Sequence, residues 1–160
     1  MMRAASPARA RREAGYTLAE LVMVAVILVI LASAVPPVVK FAGKRMKEGE
    51  LRYSLRTMRL AIDDFKRYSD AGLIPIEFGT QGYPKDLETL VEGVDLVGQV
   101  DKKVRFLRRI PVDPMTGEPE WGLRSYEDDP DSDSWGGQDV FDVYSLSQGV
   151  GLNGIPYAEW

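Results

Sequence analysis

From Leu21 to Ala32 the chain runs through twelve apolar residues without a break. As a helix that run measures only ~18 Å, short of the ~30 Å hydrocarbon core of a bilayer. Widened to residues 16–39, it keeps only Thr17, Glu20 and Ser33 as polar members. At ~1.5 Å per residue the wider stretch reaches ~36 Å, long enough to span. Residues 1–15 ahead of it carry Arg3, Arg9, Arg11 and Arg12 against Glu13 and no apolar run. Such a segment buries no core and reads as a targeting leader, set apart from the fold. Its arginines place the N-terminus in the cytoplasm, with the rest of the chain beyond the membrane.

The residues alone leave two readings of this segment open. One is a secretory signal peptide with Ala32-Ser33-Ala34 as its cleavage site, which would release a soluble binding module beginning at Val35. The other is a retained anchor. Glu20 bears on the choice. A carboxylate inside an apolar helix costs on the order of 2.5–3.5 kcal/mol at the centre and less near the end. A disposable segment gains nothing from that cost, whereas a functional acid there calls for a partner cation.

The order Gly15-Tyr16-Thr17-Leu18-Ala19-Glu20 followed by the apolar run resembles the processing site of the type IV prepilin and type II secretion pseudopilin superfamily. The resemblance implies cleavage after Gly15 by a prepilin peptidase and N-methylation of the new first residue, Tyr16. Members more often begin with Phe, so Tyr is a departure. Glu20 becomes the fifth mature residue, the position of the superfamily's glutamate. The amine freed at Tyr16 is charged or nearly so near neutral pH. In a filament it would pair with Glu20 of a neighbouring copy, each group offsetting the other's burial. Glu20 is then an assembly residue.

Pro36-Pro37 is expected to break the helix, since interior prolines lose a donor and clash one turn back. Related chains carry a proline near this point, and the pair reads as a hinge for assembly or as a membrane-exit kink. Beyond it, Leu51, Leu55, Met58, Ile62 and Phe65 follow a 4-3-4-3 spacing, a seam for packing on a globular head. Gly43 and Gly49 weaken the helix before that seam. Together these features predict one kinked helix from about 18 to 68, ~75 Å long. The domain plan is a leader at 1–15, a transmembrane and filament-core helix at 16–39, an amphipathic continuation at 40–69, and a periplasmic head at 70–160.

Within the head, residues 70–82 read as a loop, and Tyr83 to Val91 as a short helix with Pro84 in its first turn. Ile110-Pro111-Val112-Asp113-Pro114-Met115-Thr116-Gly117 reads as a rigid turn. Two strands are expected at 121–126 and 139–145, pairing as a hairpin around an acidic loop. The fold class is α+β: a long N-terminal helix, transmembrane in its first half, on a small antiparallel sheet. Tyr83-Pro84, the 110–117 turn and Phe141-Asp142-Val143-Tyr144-Ser145, in that order, resemble the major pseudopilin of type II secretion. That resemblance implies a pilin-like fold and a structural subunit polymerising into a periplasmic pseudopilus that supports protein export, with a type IV pilus subunit for adhesion, motility or DNA uptake as the alternative. Implied partners are further copies of the chain, the prepilin peptidase and methylase, minor pseudopilins and the inner-membrane assembly machinery.

Charge is segregated. Residues 40–67 hold nine bases and four acids, and residues 110–160 one base and eleven acids. The basic stretch matches a nucleic-acid patch. Opposite fields on one small chain equally suit packing of identical copies, and the membrane argument favours that over nucleic acid as primary partner. In the run 127–133, Asp128, Asp131 and Asp133 are candidate ligands for Ca²⁺, which oxygen-rich loops bind. Major pseudopilins carry calcium further along, after the strand like 141–145, but here Gln148 stands where an acid is expected and no aspartate follows. With no histidine and no cysteine in 160 residues, thiol and imidazole catalysis, disulfides and structural zinc are excluded. A glycosidase using paired acids finds no pair at strand ends, so no catalytic residue is named.

Overall fold

The computed structural model describes residues 15–98, 102–130, 132 and 134–160, and the backbone but not the side chains of 33–39. The chain divides into two compact units, Met1–Phe41 and Ala42–Trp160. One helix, α1 (Leu18–Asp70), contributes to both. Pro36 and Pro37 lie within it, so the expected interruption of helical backbone is not found there. Proline's fixed φ is itself helical, which lets the backbone continue at the loss of two donors.

In the first unit the described side chains of α1 are exposed around the whole helix. Among the described residues no helix is long and apolar enough to cross a membrane. The described side chains of this stretch end at residue 32; 15 residues of helix give only ~22 Å.

In the second unit the seam forms as its spacing predicts. Leu51, Leu55, Met58, Ile62 and Phe65 are buried, joined by Ala61, and pack with Leu87, Leu90, Leu107, Trp121, Val140 and Val143. A short helix, α2 (Leu87–Glu92), starts later than expected. Asp86 caps it, its carboxylate accepting from the Thr89 amide at 2.8 Å and the Thr89 hydroxyl at 2.6 Å. Pro84 therefore precedes the helix, and its carbonyl instead accepts from the Val140 amide at 2.8 Å. Gly93 closes α2 at φ 83°, where an added Cβ would stand 2.6 Å from the Val104 carbonyl oxygen.

Among the described residues the strands form two separate antiparallel pairs in place of the one small sheet that the sequence predicts, with an isolated bridge between Val150 and Pro156. The first, β1 (Val94–Asp95) with β2 (Lys103–Val104), was not foreseen, because two-residue strands beside Lys102 and Lys103 leave no alternation to read. The second is the expected hairpin, shorter than predicted: β3 (Gly122–Arg124) with β4 (Asp142–Tyr144), in register Gly122↔Tyr144, Leu123↔Val143 and Arg124↔Asp142. Gly122 is required by close approach, since a Cβ there would lie 2.2 Å from the Tyr144 ring. The chain ends in a single 3₁₀ turn, Tyr157–Glu159.

Candidate functional site

At the processing segment, Gly15 and Tyr16 are exposed and precede α1. Thr17 caps the helix: its hydroxyl accepts from the Glu20 amide at 3.2 Å, and its carbonyl from the Leu21 amide at 3.1 Å. Thr17 and Glu20 are thus spaced as in a capping box. Glu20 lies in the first turn, where the helix dipole favours a carboxylate. That position favours the helix by itself, whatever else the residue does. The apolar side chains that follow, Leu21 to Leu31, are exposed on every face. A helix apolar all round requires cover from lipid or from other helices. Residues 1–14 lie outside the description, as does any side-chain account of Pro36 and Pro37.

A second constellation holds the C-terminal segment against α1, and sequence reasoning missed it. Lys44 donates from Nζ to the Val150 carbonyl at 2.6 Å. Glu48, buried one turn later, accepts through Oε1 from the Leu152 amide at 2.7 Å and the Tyr157 hydroxyl at 3.1 Å. Burial, then the bond to Glu48, raise the Tyr157 hydroxyl pKa, so it remains a donor. The Arg52 guanidinium lies 4.4 Å from the Trp160 ring centroid. Arg59 donates to Asp142 Oδ1 at 2.6 Å, to the Val143 carbonyl at 3.1 Å and to the Trp160 carbonyl at 2.7 Å. Residues 44, 48, 52 and 59 follow helical spacing, the one signal in the sequence; their partners lie about a hundred residues away in the chain, beyond any local pattern.

The acidic loop is used internally. Asp128 Oδ2 accepts from the Ser125 amide at 2.7 Å and the Gly136 amide at 3.0 Å, bonds that hold its carboxyl below the ordinary range. Asp139 accepts from the Tyr126 amide at 2.9 Å, yet burial pushes its pKa up, with Asp128 and Glu127 adding to the rise. Asp142 serves Arg59, and Arg124 stands 3.9 Å away. Of the calcium candidates, Asp131 and Asp133 lie outside the described residues. Among the described residues no three acidic side chains converge on a metal-sized site. The C-terminal loop, where the resemblance would put calcium, presents its Val150 carbonyl to the Lys44 ammonium.

Asp113 joins the two head motifs. It is fully buried, its Oδ1 accepts from the Met115 amide at 2.7 Å, and its Oδ2 from the Ser145 hydroxyl at 2.5 Å. The turn at 110–117 and the end of β4 are thereby one unit.

Residues 10–36 match the family model for the prokaryotic N-terminal methylation motif. No curated protein and no solved structure matches the chain. The chain thus carries a type IV pilin-like N-terminus, and the motif ends before the head begins.

Proposed function

We propose that the chain is a structural subunit of a periplasmic pseudopilus that polymerises through its N-terminal helix and supports type II protein secretion. The observation that carries this reading is the methylation motif at 10–36, which takes in a stretch of α1, residues 21–32, that is apolar and exposed on every face. A prepilin peptidase cleaves after Gly15 and a methylase modifies Tyr16. Residues 16–39 hold the subunit in the inner membrane, with the leader cytoplasmic and the head periplasmic, until assembly moves the helix into the filament core. There Glu20 of one copy meets the Tyr16 amine of the next. Pro36 and Pro37 soften the helix where it leaves one apolar surrounding for another. The mechanism is assembly, without catalysis.

The order of the 110–117 turn and the 141–145 strand, locked together by Asp113 and Ser145, supports the secretion role over that of a type IV pilus subunit. Deleting the gene and comparing the culture medium with the cell surface separates the two. Loss of exported folded proteins with surface fibres unchanged supports the pseudopilus. Loss of surface fibres with export unchanged overturns it in favour of the pilus.

A further inference from the structure

In the second unit three large apolar side chains of α1 stand in the open: Met46 is 77% exposed, Tyr53 72% and Leu60 53%. Seven residues, two helical turns, separate each from the next, so they form one stripe on the side of α1 away from the buried seam. Arg45 and Arg56, both exposed, border it. Beside the stripe a groove of about 440 Å³ opens between Tyr53, Arg56, Leu60, Asp64 and Phe106. Exposed apolar surface in a contiguous patch with a polar rim marks an interaction site.

A second surface has the opposite character. The rings of Tyr83, Tyr126 and Phe141 meet in a triangle with centroids 5.7, 5.3 and 5.4 Å apart. Tyr126 and Phe141 are exposed, the exposed acids Glu127 and Asp129 follow Tyr126 in the chain, and Lys66 Nζ stands 5.4 Å from the Tyr83 ring centroid. Aromatic faces attract guanidinium groups, and the neighbouring carboxylates add to that attraction.

We propose that these are the two sides of one contact between successive copies of the chain. The Met46–Tyr53–Leu60 stripe and its arginines pack on the Tyr126–Phe141 face and its acids in the next copy. The wider charge distribution has the same sign, with nine bases and four acids at 40–67 against one base and eleven acids at 110–160; of the nine bases, Lys44, Arg52 and Arg59 already engage the chain's own C-terminal segment. Because the two surfaces differ, the contact is heterologous and leaves one of each unused at either end, which propagates an open chain of copies. The inference rests on the assembly reading above and adds which head surfaces meet.

The chain has no cysteine, so introduced thiols are the only ones. The full chain is expressed with its assembly machinery as Tyr53→Cys, as Asp129→Cys and as both, then treated with a short bis-maleimide. The expected result is a ladder of dimers, trimers and higher species in the double variant alone. Arg56→Glu in that background lowers the ladder about tenfold, as like charges meet acids, and a further Glu127→Arg restores it. Filaments visible by electron microscopy without a ladder overturn this contact and leave the assembly reading standing. Dimers from Tyr53→Cys alone mean a helix-to-helix contact and overturn it too. Absence of both filaments and ladder rejects the contact and the assembly reading together.

Discussion

Ser145 and Asp113 show how much a single hydroxyl can hold. Both are buried, and the Ser145 hydroxyl donates to Asp113 Oδ2. Ser145→Ala leaves a buried carboxylate oxygen short of a donor, which costs ~1–3 kcal/mol. Thermal unfolding of the chain in detergent should report that loss, and Ser145→Thr should recover part of it. The acids of the 127–139 loop oppose each other in pH dependence. Asp139 has a raised pKa, so the folded chain holds its proton to higher pH than the unfolded chain does. Its favourable contribution is present below the unfolded value of ~3.9 and is lost as pH rises through the raised value. Asp139→Asn keeps an acceptor for the Tyr126 amide and should stabilise the chain at pH 7, with the gain shrinking in acid. Asp128 has a lowered pKa, so its contribution is present above ~3.9 and lost as pH falls through the lowered value. Asp128→Asn should destabilise at pH 7 and converge with the wild type in acid. Denaturation curves at both pH values test the pair, and parallel responses would refute the assignment. None of this was legible in the sequence, where 127–133 showed only a dense run of carboxylates.

At the scale of elements, α1 was the most readable part. The 4-3-4-3 apolar spacing placed the buried seam correctly, because a helix packed on a core has one periodic requirement along its length. Met58→Ala should cost ~2–5 kcal/mol in a denaturation curve, because it opens a cavity in the core. The start of α2 was misplaced because the Asp86 side chain, not Pro84, caps the first turn. The β1–β2 pair was invisible because it is two residues long. The tie between α1 and the C-terminus escaped because Lys44 and Glu48 read as ordinary surface charges until their partners are brought across. Glu48→Ala leaves the Leu152 amide and the Tyr157 hydroxyl without their acceptor. Hydrogen exchange should then quicken across 150–157 while protection of the seam is unchanged. Equal protection of 150–157 in the variant would show that the tie does not hold the segment.

For the whole molecule, the governing fact is a division of labour along one chain. The first unit offers an apolar helix led by Thr17 and Glu20, and the second a charged head with its own core. The methylation motif at 10–36 was legible because it is a run of local sequence. The head's surfaces were not, because exposure depends on what folds over what. On the proposed assembly, Glu20→Ala should leave processing intact and reduce filament yield by an order of magnitude or more, since losing a buried charge partner costs more than the ~1.4 kcal/mol that makes a tenfold change. Normal filaments from that variant would remove the amine pairing. The most direct test of the retained helix is the intact mass and N-terminal sequence of the mature chain extracted from membranes. Tyr16 as first residue, carrying one added methyl group, is the predicted result. A chain beginning at Val35 would mean that the helix had been discarded, and would contradict the account.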